Sequence, residues 1–373
     1  MRTAKWGELL LILPSALLLG AMTLSLLFLP GSSFSETENR ALSRFPSLEW
    51  RSLLTGEFSD GLHRFVSDQL PLRSRFVALS SYAELALGKG EVGGVLIGKK
   101  GYLIPREEGS DPAILSANLS ALQAFSDASP TPTSVFLVPR HADVLSDLFP
   151  NGFSNDRSAW VADTVRASSL SPLFPVVEWQ GRAEYYYKTD HHLTTEGAYA
   201  VYQLLGESLG YTPLEESYFE KEVVSHNFRG TSDSKIGGIA PAKDTVTLYR
   251  YPNDERFSVS RDGDTGEMGQ GFYRRSALAG KDHYSVFLGG NYAHLRITDP
   301  SDREKPRLLL IKDSYANALI PFLAIHFDLT VLDPRYRSDV NAHISSAYDR
   351  VLILQGLGTL ATDPSLSRLL SPS

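Results

Sequence analysis

The stretch from Lys305 to Arg335, KPRLLLIKDSYANALIPFLAIHFDLTVLDPR, restricts the possible folds more than any other part of the chain. Leu308–Leu309–Leu310–Ile311 is a short uninterrupted apolar run. A strand with one wet face would alternate, so an unbroken run fits a strand buried on both faces. The run stops at Lys312–Asp313–Ser314. Tyr315, Ala318, Leu319, Phe322, Leu323 and Phe327 then recur at helical spacing, and Leu329–Leu332 follows as a second apolar run. The pattern predicts a βαβ unit with a serine at the strand-to-helix turn. A side chain there stands at the carboxyl edge of a parallel sheet, where open α/β folds bind ligands. It also stands at the positive end of a helix. Ser314 is then either a nucleophile or simply a helix cap.

The remaining composition is that of a globular chain: 42% apolar and 21% charged over 373 residues, enough for a sizeable core and one or two domains. A net charge of −7 argues against nucleic acid as a partner. With no cysteine, disulfides, thiolate nucleophiles and cysteine-ligated metals are excluded. Leu9–Pro30 is uncharged and follows Arg2 and Lys5. About 20 apolar residues span a bilayer, and the basic flank would keep the amino terminus in the cytoplasm. The length of the run, and the poor cleavage site at Leu29–Ser33, favour an uncleaved anchor over a cleaved signal. The expectation is a transmembrane anchor over 1–33, single-pass in the cell membrane, with the rest of the chain extracytoplasmic. A helical lead-in over 34–88 is expected from Phe58, Leu62, Phe65, Val66 and Leu70 and from Val77–Leu87. A catalytic domain is expected over 89–373. There, Val95–Ile104 reads as a hairpin, Ser134–Val138, Pro175–Glu178, Tyr284–Leu288 and Val351–Leu354 as strands, and Ile114–Phe125, Val161–Leu170 and Val340–Tyr348 as helices. Such alternation predicts a mostly parallel sheet with covering helices. Asp254–Gly271 reads as a polar surface excursion, and Phe228–Pro241 as a long loop.

Tyr187–Lys188–Thr189–Asp190–His191–His192 is the second concentration of chemistry. A helix from Thr194 to Leu209 should follow, capped by Thr194 or Thr195. An aspartate and a histidine two residues apart in a loop can bring the carboxylate against Nδ1 and leave Nε2 facing outward, the orienter and base of a Ser–His–Asp system. The same residue types are metal ligands. An Asp-His-His run occurs in manganese phosphoesterases, but the only Asp-x-Asp here is Asp262–Gly263–Asp264. A structural loop histidine is the third reading. Farther on, Gly289–Gly290–Asn291 could supply backbone N–H groups and an amide donor to an oxyanion, or could be a tight turn.

Taken in order, these blocks resemble the DHHW proteins and, more distantly, the alginate O-acetylation proteins. The resemblance runs from Ser35 to about Leu360. It is carried by Glu36-x-Glu38–Asn39–Arg40, Gly94–Val95–Leu96–Ile97–Gly98, Tyr187–Lys188–Thr189–Asp190–His191–His192, Phe287–Leu288–Gly289–Gly290–Asn291, Lys312–Asp313–Ser314–Tyr315–Ala316–Asn317 and Asp333–Pro334–Arg335–Tyr336. Leu193 stands where the family motif has tryptophan. The resemblance implies an α/β SGNH-hydrolase-like three-layer sandwich. It implies a carbohydrate O-acetyltransferase or acetylesterase acting on a cell-envelope or exported polysaccharide, with a non-catalytic polysaccharide-binding protein as the alternative. By resemblance, Ser314 is the nucleophile, His192 the base and Asp190 its orienter, with Gly290 and Asn291 in the oxyanion hole. His191, Tyr187, Lys312, Tyr315 and Arg335 would support these residues or meet substrate. Neither cofactor nor metal is implied. A membrane-bound O-acyltransferase would supply the acetyl group.

Overall fold

The computed structural model describes residues 3–28, 31–35, 40–106, 109–155, 158–261, 267–302, 304–336 and 348–370. Glu36–Asn39, the Asp262–Gly263–Asp264 turn and nearly all of the expected Val340–Tyr348 helix lie outside the described residues. The chain divides into two compact units. One is Met1–Leu87 with Ile236–Ile239, and the other is Gly88–Lys235 with Ala240–Ser373.

In the first unit, helix α1 spans Thr3–Phe28, strands β1 (Phe34–Ser35) and β2 (Arg40–Ala41) pair antiparallel, and α2 (Trp50–Thr55), α3 (Glu57–Gln69) and α4 (Arg73–Ala86) follow. The α1 segment corrects the expected anchor. Among the described residues no helix is long and apolar enough to cross a membrane. Lys5 and Glu8 fall in the first turns of α1, and Pro14, Ser15, Gly20, Thr23 and Ser25 dilute its apolar run. The single-pass anchor over 1–33, the membrane localisation and the outward orientation built on it are therefore not supported.

The second unit opens with a small antiparallel sheet of β3 (Glu91–Val92), β4 (Val95–Ile97) and β5 (Leu103–Pro105). There follow α5 (Pro112–Ala128), β6 (Thr133–Val138), α6 (His141–Val144), α7 (Ala159–Ala167) and α8 (Thr195–Leu209). Next come a two-stranded ribbon of β7 (Glu220–Phe228) and β8 (Asp244–Arg250) with α9 (Thr231–Lys235) between them. The chain continues through β9 (Ser258–Arg261), β10 (Glu267–Gln270), β11 (His294–Thr298), β12 (Arg307–Lys312), α10 (Ile320–Leu323), β13 (Asp328–Leu332), β14 (Arg350–Gly356), α11 (Leu357–Thr362) and α12 (Ser365–Leu370).

The main sheet has the order β10-β9-β11-β13-β12-β14-β6. It is mixed, which corrects the expected mostly parallel sheet. β13, β12, β14 and β6 run parallel, whereas β10, β9 and β11 pair antiparallel, the last also against β13. The missed half has a physical reason. β9 reads Ser258–Val259–Ser260–Arg261 and buries only Val259, so it carries none of the continuous apolar signal of a central strand. The Asp254–Gly271 excursion therefore contains two sheet strands.

The parallel half behaves as its sequence predicts. Leu308 and Leu310 join one core cluster, while Leu309 and Ile311 join another. Successive side chains of a strand point to opposite faces, so both faces of β12 are covered. α5, α7, α11 and α12 bury Leu115, Leu122, Val161, Leu360 and Leu369 on one face, and α8 and α10 bury Tyr202, Leu205 and Phe322 on the other. The chain leaves β12 for β13 on one side and reaches β14 on the other, so the carboxyl edge of β12 lies where connections diverge, the usual position of a ligand crevice.

Three local expectations are corrected. The helix after Ser314 is broken into a 3-10 turn, Ser314–Ala316, and the single turn of α10. Pro321 has no N–H to give the carbonyl four residues back, and its ring crowds that carbonyl. Ser314 thus opens a turn too short to carry a macrodipole. Pro175–Glu178 is a turn, with only Leu173 bridging to Phe136. His283–Val286 is a 3-10 turn in place of the expected strand.

Candidate active site

Asp190, His191 and His192 lie in a loop that closes on itself before α8. Tyr186 bridges Leu193, and the Tyr187 N–H donates to the His192 carbonyl at 3.2 Å. Below the loop, Asp244 at the start of β8 accepts from the N–H of Lys188 (2.7 Å), the N–H of Thr189 (2.8 Å) and the Thr189 hydroxyl (2.5 Å). On the helix side, Thr194 caps α8 by accepting from the Gly197 N–H at 3.1 Å. The N–H groups of Tyr187, Lys188, Thr189 and Thr194 all have partners, which pins the two ends of the loop.

Within the loop, Asp190 Oδ1 accepts from the His192 N–H at 3.0 Å and from His192 Nδ1 at 2.5 Å. A carboxylate only accepts, so the proton sits on Nδ1 and leaves Nε2 with a lone pair. Nε2 lies 2.8 Å from Ser314 Oγ. The other carboxylate oxygen, Oδ2, accepts from the Thr231 N–H (2.7 Å) and Thr231 hydroxyl (3.0 Å) at the start of α9. Burial pushes the Asp190 carboxyl up. The His192 and His191 imidazoles, with the hydrogen bonds from His192 and Thr231, outweigh it and hold the group well below the usual carboxylate range. Gly230 must be glycine for this approach, since a Cβ would overlap the Asp190 side chain.

Ser314 follows β12 at the carboxyl edge, three residues beyond Ile311. Asp313 caps its turn by accepting from the Tyr315 N–H at 3.0 Å, and its other oxygen accepts from the Gly356 N–H at 2.8 Å at the end of β14. Tyr284 completes the seat. Its ring stacks on His192 at 3.9 Å and 9°, and its hydroxyl donates to the Ser314 carbonyl at 2.9 Å. The structure thus brings Asp190, His192 and Ser314 into one chain of hydrogen bonds across 122 residues of sequence.

The other residues singled out in the sequence fall into three groups. Asn291 follows Leu288, Gly289 and Gly290, whose φ angles are 64°, 83° and 120°; a leucine in the left-handed region is uncommon, so the turn is tightly specified by its surroundings. The Asn291 amide oxygen accepts from Lys312 Nζ (3.0 Å) and from Asn317 Nδ2 (3.1 Å), and Lys312 also donates to Asn317 Oδ1 (2.8 Å). The Gly290 N–H makes only a long 3.4 Å contact, with the Phe287 carbonyl. Lys312 is fully buried beside Asp333, 3.5 Å away, and burial outweighs that carboxylate to lower its amine to about 8. Arg335 clamps the same Asp333 through Nε (2.9 Å) and Nη2 (2.6 Å). Tyr187 is buried, with its carbonyl accepting from His141 Nε2 at 3.1 Å and its ring edge-on to Tyr284 at 6.3 Å, so it supports Tyr284 from behind. His191, Tyr315 and Arg335 share the wall of a cavity of about 660 Å³ with Arg106, Thr231 and Lys235. Leu193 is buried in the core.

Asp190, His191 and His192 can each offer one ligand atom within 4.8 Å of the others. Both ring nitrogens of His192 are already in hydrogen bonds, one of which a metal at His192 would have to break, whereas His191 is held through Nδ1 by Thr231. No site role is legible in the sequence for Thr231, Tyr284 or Asp244, and Asp313 and Asn317 stand out there only as members of the Lys312–Asn317 block. Hydroxyls and carboxylates that act through backbone groups carry no spacing of their own, although the long Phe228–Pro241 segment that holds Thr231 did signal a loop of interest.

The model of the DHHW protein family matches residues 176–332, a shorter span than the motifs suggested but one that contains Asp190, His192 and Ser314. No curated protein matches the chain. Among solved structures, a DHHW family protein from Eubacterium siraeum is 20% identical with a TM-score of 0.58, over 76% of this chain and 98% of the other. PatB1 of Bacillus cereus, solved with a sulfonyl adduct, is 19% identical with a TM-score of 0.58, over 73% and 98%. The O-acetyltransferase domain of Pseudomonas putida AlgJ is 16% identical with a TM-score of 0.46, over 74% and 98%. The first two likenesses establish a shared fold. The resemblance to DHHW proteins read from the motifs is therefore shown, and residues 176–332 are the part that carries it.

Proposed function

We propose that this chain is a carbohydrate O-acetyltransferase or acetylesterase that works through Ser314, His192 and Asp190. The observation that carries the reading is the relay itself: Asp190 Oδ1 at 2.5 Å from His192 Nδ1, and His192 Nε2 at 2.8 Å from Ser314 Oγ. In the first half-reaction Ser314 Oγ bonds to the acyl carbon while its proton passes to His192 Nε2. Asp190 keeps the imidazole in the correct tautomer and stabilises the imidazolium. The tetrahedral oxyanion would be held by the Ser314 and Gly290 N–H groups and by Asn291, whose Oδ1 is held by Lys312 and Asn317 so that Nδ2 is the end left to donate. Collapse expels the leaving alcohol, which takes the proton back from His192 and leaves acetyl on Ser314. An acceptor hydroxyl then repeats the sequence in reverse order.

The acceptor of choice is a hydroxyl of a cell-envelope or exported polysaccharide, and the supplier of acetyl a membrane-bound O-acyltransferase, both carried over from the resemblance. The test is direct. Full-length chain incubated with an aryl acetate, digested and weighed by mass spectrometry, should carry acetyl on the peptide containing Ser314. An adduct elsewhere, or none, would leave the polysaccharide-binding alternative in its place.

A further inference from the structure

His191 takes no part in the relay, yet its protonation state can be read from its neighbours. Thr231 has one hydroxyl proton. Its Oγ1 lies 3.0 Å from Asp190 Oδ2, and an ionised carboxylate only accepts, so that proton is committed to Asp190. Thr231 Oγ1 can then only accept from His191 Nδ1, 2.7 Å away. The proton of the neutral His191 ring is therefore on Nδ1, and Nε2 carries a lone pair. Partial burial and the neighbouring His192 lower this histidine, which favours the neutral ring at ordinary pH.

The His191 side chain is 35% exposed, lines the 660 Å³ cavity and is tilted by 37° against the His192 ring at 3.9 Å. The two neighbouring imidazoles thus have matching protonation: each has Nδ1–H held by the Asp190–Thr231 pair and an Nε2 lone pair. Once Ser314 carries acetyl, His192 Nε2 is free to accept from an incoming hydroxyl. The cavity wall adds the donors Arg106, Lys235 and Arg335, the acceptor Asp363 and the hydroxyls of Thr359 and Thr362, so a ligand rich in hydroxyls, which both donate and accept, suits this wall.

We infer that the acyl acceptor enters from this cavity, past His191 and Tyr315 (the chain neighbours of His192 and Ser314), as a vicinal diol, with one hydroxyl donating to His192 Nε2 and the adjacent hydroxyl donating to His191 Nε2. The inference rests on the proposed acyl transfer and specifies its acceptor. In the transfer step the first hydroxyl oxygen bonds to the acetyl carbon and its proton passes to His192, then to Ser314 Oγ as the ester bond to serine breaks. The second hydroxyl keeps its proton and only orients the diol, so His191 ends the cycle unchanged. Water has no second hydroxyl to place there, which gives the site a means of favouring transfer over hydrolysis.

The experiment compares simple acceptors. Full-length chain is given an aryl acetate together with either 1,2-propanediol or 1-propanol, and the ester products and free acetate are quantified alongside the acetyl adduct on Ser314. The wild type should prefer the diol about tenfold, the size of one hydrogen bond to a positioned partner. His191→Phe should bring the diol-to-alcohol ratio close to one, and His191→Gln, which keeps an acceptor oxygen, should restore part of it. Nitrogen NMR of histidine-labelled wild type should show a protonated Nδ1 and an unprotonated Nε2 on His191. A wild type without diol preference, a preference that persists in His191→Phe, or an Nε2–H tautomer would each overturn the inference while an acetyl-Ser314 adduct leaves the acyl-transfer reading standing. Absence of any Ser314 adduct would overturn that reading, and this inference with it.

Discussion

On the Asp190 side of the site, four hydrogen bonds converge on one carboxylate, and every one comes from a residue within reach of His192 or Thr231. On the Asn291 side, a run of three positive-φ residues delivers a single amide, whose oxygen is tied to a buried lysine and to Asn317. The first arrangement is fixed by charge: an ionised group with all its acceptor positions in use holds the imidazole and its tautomer together. The second is fixed by backbone conformation and one long side chain. Charge-assisted hydrogen bonds are about twice as strong as neutral ones; Asp190 keeps other such bonds when one is lost, whereas the Asn291 oxygen has one, from Lys312, and should loosen when Lys312 is shortened.

The largest expected effect tests whether the Asp190 side acts as one unit. Ser314→Ala and His192→Ala should each lower acetyl turnover by several powers of ten, and the double variant should be little worse than either, because a nucleophile without its base is already inert. Asp190→Asn should cost about 10⁴-fold, since the histidine stays but its tautomer is wrong. Losses that multiply in the Ser314–His192 double variant would mean independent residues.

Next in size is the Asn291 side. Asn291→Ala should cost about 10²–10³-fold in kcat with little change in KM, the usual effect of removing one oxyanion donor. Equal changes in kcat and KM would assign Asn291 to ground-state binding.

A smaller effect separates the two sides by pH. Lys312 is lowered to about 8 by burial, with Asp333, Arg335 and Asp313 as the charged groups around it. Its ammonium is present below about pH 8 and lost above it, so kcat/KM should fall on the alkaline side near that pH. Lys312→Met should remove this limb and run uniformly slower. A limb that survives in Lys312→Met belongs to another group.

The smallest effect is on stability, beneath the relay. His141 is buried, and burial lowers it from 6.5 to about 4. Between those values the unfolded chain binds a proton that the folded chain does not, so stability falls as pH drops from 6.5 towards 4. The shift corresponds to about 3 kcal/mol if fully expressed. The urea midpoint should fall over this window, and His141→Gln should flatten the slope.

The same contrast explains what could be read from the sequence. The Asp190–His192 spacing and the Leu308–Ser314 strand end are local patterns, and the structure places those residues where the patterns put them. The continuous apolar strands β6, β12, β13 and β14 were legible because burial on both faces leaves an unbroken run. β9 is not legible in this way, because it buries one of its four residues where β12 buries five of six. The Gly289–Gly290–Asn291 turn is legible as composition, but the 3-10 turn before it reads as a strand, since Tyr284–Ser285–Val286–Phe287–Leu288 has the β-branched and aromatic content of one. Thr231 and Tyr284 escaped notice because their roles depend on contacts across 41 and 30 residues of sequence, which no local period records. The apolar run at the amino terminus shows the reverse error: a hydropathy pattern was read as an anchor that no described helix bears out.

The central claim is that His192 and Asp190 make Ser314 a nucleophile, and the reactivity of that one oxygen tests it without knowledge of the natural substrate. Full-length chain is treated with an aryl sulfonyl fluoride, and labelling of each serine peptide is followed in time by mass spectrometry. Attack by Oγ forms the Oγ–S bond, fluoride leaves, and the proton passes to His192. Ser314 should be labelled far faster than any other serine, and the rate should collapse in His192→Ala and drop strongly in Asp190→Asn. Labelling of Ser314 at the same rate in wild type and His192→Ala would contradict the claim.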